Sequence, residues 1–395
     1  MQFLVSAGEA SGDMYAAGIV RRLQETFPSA EFYGCAGPHL RDAGVQPVID
    51  SARLAVVGLA EVVAHLPRIY SEYRRLIGYI RRNRPGAAIL SDSPDFHLRV
   101  ARHLKRLGVP VFYVVAPQVW AWRQGRVRVI RDVVTKLFCL FPFEEDWFRH
   151  RGVDAIYIGH PLLSMVRVQT SRENFFDRYQ LPKETQVLVL LPGSRIGEAR
   201  RHMPVLLDTV AHLRKRFALS VLLAVPKGFR THEGFVNFRE PINALSIKVV
   251  ENQTWDCIGH ANLALAASGT VTIEAAVLGT PMITFYKVNP LTWWAGRHLV
   301  KVPFLSMVNL VAQRQIVPEL IQYDMTAERM AQEAEQLLAY PEKADLMRAD
   351  LALVRAALTC QGDPLQHAAD VIAEACSVRA GSVIPHVDIL RETIG

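Results

Sequence analysis

The segment Asp92-Ser93-Pro94-Asp95-Phe96-His97 brings two carboxyl groups and an imidazole together. It follows a short apolar run, Ala87 to Leu90, that is typical of a buried strand. A carboxylate or an imidazole at the end of a strand can take a proton from a substrate hydroxyl, provided that it has the reach and a suitable pKa. We therefore expect Asp95 or His97 to be a candidate general base. Helix capping is the alternative role for the aspartates, and a lone histidine often has no chemical role.

A glycine-rich turn, Gly8-Glu9-Ala10-Ser11-Gly12-Asp13, follows the first strand-like run of the chain and opens a helix. Parallel sheets bind ligands at the carboxyl ends of their strands, and glycine lets backbone approach a ligand. We therefore expect a ligand site at this turn, with helix capping by Ser11 or Asp13 as the alternative. The Gly-x-Gly-x-x-Gly fingerprint is absent, which argues against a nicotinamide or flavin cofactor.

Two similar turns, Leu191-Pro192-Gly193-Ser194-Arg195 and Ser268-Gly269-Thr270, stand at helix starts in the second half of the chain. The N–H groups and the dipole at a helix start favour phosphate, so two such turns indicate a nucleoside diphosphate site. Arg195 could stabilise a departing diphosphate, and Glu274 could accept from ribose hydroxyls. Ordinary capping and a surface ion pair remain the alternative for these two residues.

Aromatic and basic residues are concentrated in the first half of the chain. Val119-Trp120-Ala121-Trp122-Arg123 leads into three further arginines and forms either a phosphate pocket or core filling beside a solvated face. A helical stripe between Val62 and Ile80 is flanked by arginines and is either a membrane-surface element or a helix packed on its own core. No nucleic-acid motif accompanies these arginines.

Alternating strand-like and helical patterns occur twice along the chain, which predicts two Rossmann-like parallel-sheet domains. A more polar stretch places the boundary between them near Leu163 to Ser171. Successive helices from Ala327 to Ser377 could pack back across both domains. The apolar window from Ala261 to Tyr286 contains a glutamate and two glycines, so it is interpreted as strand, turn, helix and strand rather than a membrane span.

Composition limits the class of protein. The chain has 395 residues, half of them apolar, and a formal net charge of +7, which indicates a globular protein with anionic partners. Its five cysteines form no Cys-x-x-Cys pair, as expected in a reducing cytoplasm and not for a disulfide framework or a structural zinc site. The N-terminus lacks the features of a signal peptide.

Taken in order, the motifs resemble those of the lipid-A-disaccharide synthase family across nearly the whole chain. The resemblance rests on Gly8 to Asp13, Asp92 to Phe96, Val119 to Arg123, Leu191 to Arg195, Ser268 to Thr270, and Asn309-Leu310 through Arg314. It implies an α/β fold of the GT-B class, in which two Rossmann-like domains face a cleft and C-terminal helices return to the N-terminal domain. The expected limits are 1–165 for the acceptor domain, 166–345 for the UDP-sugar domain and 346–395 for the returning helices.

The resemblance also implies a reaction and a location. UDP-2,3-diacylglucosamine and 2,3-diacylglucosamine 1-phosphate would give the β-1,6-linked disaccharide 1-phosphate and UDP by an inverting displacement. No metal or other cofactor is implied. The enzyme would be cytoplasmic, in peripheral contact with the anionic inner face of the cytoplasmic membrane, and could form a homodimer through its C-terminal helices.

The site residues are carried over from the family motifs. Asp95 matches the proposed general base, and Glu9 and Ser11 match active-site loop positions. The residues expected to bind substrate are Arg195, Ser268, Gly269, Thr270, Glu274, Asn309, Gln313, Trp122 and Arg123. His97, Val308 and Gln313 depart from the usual Asn, Pro and Gly of the family.

Two other functions remain open at this point. Another GT-B enzyme, such as a UDP-sugar 2-epimerase, would use the same nucleotide cleft without a lipid acceptor. A membrane-associated nucleotide-sugar binder would hold UDP without turnover.

Overall fold

Two parallel β-sheets form the frame of the protein. The computed structural model describes residues 1–54, 59–290, 293–294 and 302–381, and their side chains except at 59–65 and 379–381. The first sheet contains β1 (Gln2–Ala7), β2 (Glu31–Ala36), β3 (Gln46–Asp50), β4 (Ala87–Ser91), β5 (Val111–Val114), β6 (Lys136–Cys139) and β7 (Ala155–Tyr157). The second contains β8 (Gln186–Leu191), β9 (Leu219–Val225), β10 (Lys248–Glu251), β11 (Leu263–Ala267), β12 (Met282–Tyr286) and β13 (Glu319–Ile321).

Helices connect the strands and cover the sheets. Those of the first half are α1 (Ala10–Thr26), α2 (Pro38–Asp42), α3 (Leu59–Arg82), α4 (Pro94–Arg106), α5 (Val119–Trp122), α6 (Val127–Val133), α7 (Pro142–Arg149), α8 (Leu162–Met165) and α9 (Arg172–Tyr179). Those that follow are α10 (Ile196–Leu213), α11 (Glu233–Val236), α12 (Arg239–Ala244), α13 (Thr254–Gly259), α14 (Thr270–Leu278), α15 (Met307–Ala312), α16 (Ala327–Ala339), α17 (Pro341–Ala357) and α18 (Pro364–Gly381).

The central strands are apolar runs because helices cover both faces of each sheet. Every residue of β4, β9 and β11 is buried, and so are all but the first of β1 and β8. Strands buried on both faces are read from sequence as continuous apolar runs rather than alternating patterns. The apolar window from Ala261 to Tyr286 folds as β11, α14 and β12, as predicted. Within the described residues, no helix is long and apolar enough to cross a membrane.

The strand order creates one switch point in each sheet. The first sheet has the order β3-β2-β1-β4-β5-β6-β7, and the second has β10-β9-β8-β11-β12-β13. All neighbouring strands are parallel, and the central pairs align Phe3 with Ala87 and Leu263 with Leu188. Connections leave β1 and β4, and likewise β8 and β11, in opposite directions, which opens a crevice at their carboxyl ends. The four turns singled out in the sequence follow these four strands.

The C-terminal helices tie the two sheets together. Helix α16 packs on α10, and α17 packs on α14 and α15, all in the second half of the chain. Helix α18 returns to the first half and packs along α1, where Asp363 pairs with Arg22 and Leu365 lies against Gly18. The expected return of C-terminal helices to the N-terminal domain is confirmed. The limits 1–165, 166–345 and 346–395 stay predictions.

Helix α3 carries the predicted apolar stripe in two different environments. In the stripe, Leu76 and Ile80 are fully buried, Ile69 and Tyr73 are partly buried against the same core, and Leu66 is 49% exposed. Tyr70, which lies beside the stripe, is 58% exposed. The side chain of Val62 lies outside the described residues. The stripe therefore packs on its own core near the C-terminal end of the helix and leaves apolar side chains exposed farther toward its start.

Candidate active site

The turns after β1 and β4 meet at the first switch point. The backbone N–H of Gly8 donates to Asp92 Oδ1 over 2.9 Å. A Cβ atom on Gly12 would overlap Asp92 Oδ2 and lie 2.7 Å from Ser91 Oγ, so only glycine allows this close approach. Helix capping does not explain the two motifs, because neither Glu9 nor Ser93 at the helix starts makes a side-chain cap. Asp13 instead accepts from the N–H groups of Gly37 and His39, at 2.7 and 2.8 Å.

Asp92 is a buried carboxyl in a strained stretch of backbone. Both Asp92 and Ser93 adopt left-handed φ angles, 51° and 40°, which are uncommon for residues other than glycine. Asp92 Oδ2 is shielded from solvent and has no hydrogen-bond partner among the described residues. Burial raises the pKa of Asp92 well above its usual value, and the nearby charge of Glu9 adds to the effect. A second buried oxygen without such a partner, Ser91 Oγ, faces the same point beside Gly12.

His97 is buried and contacts the backbone of the turn after β4 rather than the cleft. Its ring is fully buried, and Nδ1 lies 2.9 Å from the backbone carbonyl of Asp92, which can only accept. Burial lowers the pKa of His97 to about 4, against an opposing effect of the Asp92 and Ser91 carbonyls. The neutral ring therefore carries its proton on Nδ1, and Nε2 accepts from Ser6 Oγ at 2.7 Å. Tyr113 Oη donates to the same Asp92 carbonyl. This environment suits a positioning role better than that of a general base, and Asp95 remains the candidate base.

Asp95 lies in the first turn of α4 with its carboxylate open to solvent. Its side chain is 65% exposed and pairs with two guanidinium groups. Arg123 Nη1 is 3.3 Å from both carboxyl oxygens, and Arg126 Nη2 is closer to Oδ1. Arg123 also lies over the ring of Trp122, 4.2 Å from its centroid. The structure thus brings three predicted residues, Asp95, Trp122 and Arg123, into one cluster with Arg126.

An ion pair joins this region to the second half of the chain. Arg195 Nη2 lies 2.9 Å from Glu9 Oε1, and Arg195 Nη1 lies 3.4 Å from Glu198 Oε1. Burial opposes the charge of Arg195, but Glu9 and Glu198 outweigh it and raise the arginine's pKa. Tyr286 Oη donates to Glu198 Oε1 over 3.0 Å. The turn after β1 and the turn after β8 therefore face each other across one cleft.

The turn after β11 lies at the second switch point and leads into α14. Ser268 Oγ donates to the carbonyl of Leu305 over 3.2 Å, and Gly269 and Thr270 are exposed at the start of α14. Burial raises the pKa of Glu274 to about 7, with a hydrogen bond from Trp255 acting in the opposite direction. The charge of Glu274 contributes to a raised pKa of Tyr15, whose hydroxyl has no partner in the described part of the chain. Glu274 is therefore a buried carboxyl near Tyr15 of α1.

Asn309 and Gln313 occupy different positions around α15. The amide of Asn309 is fully buried and donates to the Val317 carbonyl and to Glu319 Oε1, at 2.9 and 2.7 Å. Its Oδ1 accepts from the N–H groups of Ile316 and Val317. Asn309 thus organises the chain between α15 and β13, whereas Gln313 is exposed at the end of the helix with a φ of 55°. Ser11 is half-buried in the first turn of α1.

Sequence reasoning did not single out Ser6, Tyr15 or Tyr113. They lie on strands or helices with apolar neighbours, and nothing in their spacing distinguishes them from core residues. Arg126 belongs to the arginine-rich segment that was interpreted as either a phosphate pocket or a solvated face, but it was not among the residues carried over from the family motifs. In the described ranges, no three His, Cys, Asp or Glu side chains are arranged to hold a metal ion.

Comparison with known proteins decides the family. The profile of the Lipid-A-disaccharide synthetase family matches residues 3–362. The chain belongs to this family. A lipid-A-disaccharide synthase from Solibacter usitatus is 55% identical over 354 residues, covering 90% of this chain and 92% of the relative. One from Geobacter sulfurreducens is 38% identical over 361 residues, covering 91% and 94%.

Solved structures agree on the fold. A UDP-GlcNAc 2-epimerase from Neisseria meningitidis, bound to UDP-GlcNAc, superposes with a TM-score of 0.63 at 13% identity, over 96% of this chain and all of that one. A glycosyltransferase from Rickettsia africae superposes with a TM-score of 0.57 at 11% identity, over 95% and 98%. The expected GT-B fold is confirmed, and this lipid-A-disaccharide synthase family member is a glycosyltransferase. The family match does not favour the two alternative functions, a UDP-sugar 2-epimerase and a nucleotide-sugar binder without turnover.

Proposed function

We propose that this enzyme transfers the sugar of UDP-2,3-diacylglucosamine to 2,3-diacylglucosamine 1-phosphate, with inversion, and releases UDP. The observation that carries the proposal is the cleft itself, where Asp95 stands at one switch point and the turns of Arg195 and Ser268 surround the other. The 2.9 Å pair between Arg195 and Glu9 bridges the two sides. A base and a site for a leaving diphosphate thus face one another, as an in-line displacement requires.

The two sides of the cleft divide the chemistry. Asp95 takes the proton of the acceptor's primary hydroxyl, and the oxygen attacks the anomeric carbon of the donor. The helix starts of α10 and α14 and the guanidinium of Arg195 stabilise the charge that develops on the diphosphate. Ser268, Gly269 and Thr270 contact that diphosphate, and Glu274 accepts from the ribose.

The other predicted residues position the substrates. Glu9 holds Arg195 until the diphosphate takes its place, and Ser11 lines the acceptor side of the same turn. Trp122 and Arg123 contact the acceptor. Asn309 acts through the backbone that it orders, and Gln313 contacts substrate from the end of α15. The expected homodimer stays a prediction.

Acyl chains need an apolar landing surface, and we assign it to the start of α3. Leu66 and Tyr70 are exposed there, beside arginines that suit an anionic bilayer. The enzyme would thus work in peripheral contact with the cytoplasmic face of the membrane.

Mass spectrometry of the product tests the reaction. Incubation of the enzyme with both acylated sugars in detergent micelles should give the disaccharide 1-phosphate and one UDP per product. Absence of both products, with each substrate at saturation, would refute the proposed activity. Formation of the epimer of UDP-N-acetylglucosamine would support the alternative enzyme.

A variant of the base tests the mechanism. Asp95→Asn should lower kcat by about 10²- to 10⁴-fold while UDP binding stays unchanged. Asp154→Asn is the matched control, since Asp154 is 57% exposed and ion-paired, but lies at the opposite edge of the same sheet, before β7. Full activity of Asp95→Asn would remove Asp95 from this role.

A further inference from the structure

The single negative charge of Asp95, the candidate base, is paired with two positive charges. Arg123 and Arg126 both pair with the single carboxylate of Asp95. Arg123 lies beyond α5 and Arg126 just before α6, so one short segment supplies both cations. Two guanidinium groups on one carboxylate leave a net positive charge at an open site. Such a site attracts a second anion, which then competes with Asp95 for the two guanidinium groups.

The two guanidinium groups are accessible to a ligand. The side chains of Arg123 and Arg126 are 38% and 26% exposed, and Trp122 beside them is 40% exposed. A guanidinium presents five N–H donors in a planar fork, which suits the oxygens of a phosphate. Trp122 offers a flat ring that holds Arg123 in place, and an exposed indole provides a face for a sugar ring. The cluster has the composition of a sugar-phosphate site.

The same ion pairs occupy the carboxyl oxygens of Asp95. A carboxylate whose lone pairs accept N–H bonds from two guanidinium groups leaves little room for a substrate hydroxyl to approach those oxygens. A phosphate dianion is a stronger competitor for guanidinium donors than a carboxylate monoanion, because it carries more charge and three oxygens. Its arrival would draw the arginines away from Asp95.

We propose that Arg123 and Arg126 bind the 1-phosphate of the acceptor, and that this binding frees Asp95 for proton transfer. The inference rests on the proposed function and assigns a second role to the acceptor phosphate, that of switching on the base. The phosphate and the reacting hydroxyl lie at opposite ends of one sugar ring. A guanidinium between them can release the carboxylate on one edge as it takes the phosphate on another.

The chemical step then balances within the two substrates and Asp95. The acceptor O–H bond breaks, and its proton goes to a carboxyl oxygen of Asp95. The hydroxyl oxygen forms the new bond to the donor's anomeric carbon, and the bond from that carbon to UDP breaks with its electron pair on the diphosphate. The acceptor phosphate is not consumed. No metal, oxidant or other reactant is needed.

The proposal is tested by measuring kinetics with two acceptors. One acceptor carries the 1-phosphate and the other lacks it. Both are presented in neutral detergent micelles, so that lipid headgroups supply no competing phosphate. The enzymes compared are wild type, Arg126→Gln and the control Arg128→Gln. Arg128 is exposed in the same segment and forms no ion pair within the described part of the chain. UDP binding by each variant confirms that its fold is kept.

The Arg126→Gln substitution should lower turnover of the phosphorylated acceptor and raise turnover of the phosphate-free acceptor. On the phosphorylated acceptor, kcat/KM should fall by about tenfold, because a charged hydrogen-bonding partner is lost. On the phosphate-free acceptor, kcat should rise by about three- to fivefold, because one exposed ion pair on Asp95 is gone. Wild type should show a lower kcat on the phosphate-free acceptor, and Arg128→Gln should behave as wild type.

Two outcomes separate the inference from the function on which it rests. If wild type forms disaccharide but Arg126→Gln does not gain kcat on the phosphate-free acceptor, the switching role is wrong and the enzyme's function stands. If Arg126→Gln alters KM alone, the arginine binds phosphate without controlling the base, and the inference is likewise overturned. If wild type forms no disaccharide from the phosphorylated acceptor, the proposed function itself fails.

Discussion

Replacing His97 with leucine tests how much the hydrogen bonds of this side chain stabilise the turn after β4. The change removes the ring nitrogen that accepts from Ser6 and the N–H that donates to the Asp92 carbonyl. Ser6 is fully buried, so its hydroxyl would keep only the weak acceptor Cys35 across the sheet. An orphaned buried hydroxyl costs about 1–3 kcal/mol, and the carbonyl, which keeps Tyr113, loses about 1 kcal/mol. We expect His97→Leu to lower the free energy of unfolding by about 2–4 kcal/mol.

A double-mutant cycle separates this hydrogen bond from simple loss of packing. Ser6→Ala alone should also destabilise, because it leaves Nε2 of the buried imidazole without a donor. The double variant Ser6→Ala/His97→Leu leaves neither group orphaned, so its loss should be smaller than the sum by about 1–3 kcal/mol. Thermal unfolding of the full chain measures the effect, at about 2–4 °C per kcal/mol for a cooperative unit of 150–250 residues. Additive losses would show that the Ser6–His97 hydrogen bond does not stabilise the fold.

Acid provides an independent check on the same residue. The pKa of His97 is about 4 in the folded protein and about 6.5 when unfolded, so the unfolded chain binds the proton first as the pH falls. Stability should therefore decrease from about pH 6.5 down to about pH 4, by about 3 kcal/mol from this residue. Both His97→Leu and His97→Asn should lack that part of the pH dependence of stability. Of the two variants, His97→Asn should keep more activity. An unchanged pH slope in His97→Leu would refute the buried neutral imidazole.

Two further predictions concern the turn and the membrane surface. Gly12→Ala should lower the unfolding temperature and kcat together, because the added Cβ overlaps the Asp92 carboxyl; unchanged kinetics would show that the turn can relax. Leu66→Gln with Tyr70→Gln should weaken sedimentation with anionic vesicles, whereas Leu346→Gln, 66% exposed on α17, should not. Equal vesicle binding by wild type, the double variant and the Leu346→Gln control would place the membrane contact elsewhere.

The buried parallel strands were predictable because they are apolar throughout. Ala87 to Leu90 lies within β4, and the window from Ala261 to Tyr286 contains β11, α14 and β12 in the predicted order. β2 and β3, at one side of the first sheet, were not identified. β3 begins with exposed Gln46 and Pro47 and lies at an edge, so its pattern resembles a loop.

The turns at the two switch points were predictable for a different reason. A parallel sheet gathers the carboxyl ends of its strands at one edge, so turns far apart in sequence had to meet there. The left-handed φ angles of Asp92 and Ser93 could not be predicted, since neither residue type demands them. Nor could the Glu9–Arg195 pair, which depends on how one sheet faces the other.

The three carboxyl groups around the first switch point have different roles because their partners differ. Glu9 and Asp95 each face a guanidinium, supplied by Arg195 for one and by Arg123 and Arg126 for the other. Asp92 forms no ion pair within the described residues, and burial raises its pKa well above the usual value. Asp92 Oδ2 is also shielded from solvent, so a substrate hydroxyl has little access to it. We therefore propose Asp95, rather than Asp92, for proton transfer, because its side chain is 65% exposed and its two cationic partners are themselves partly open to solvent.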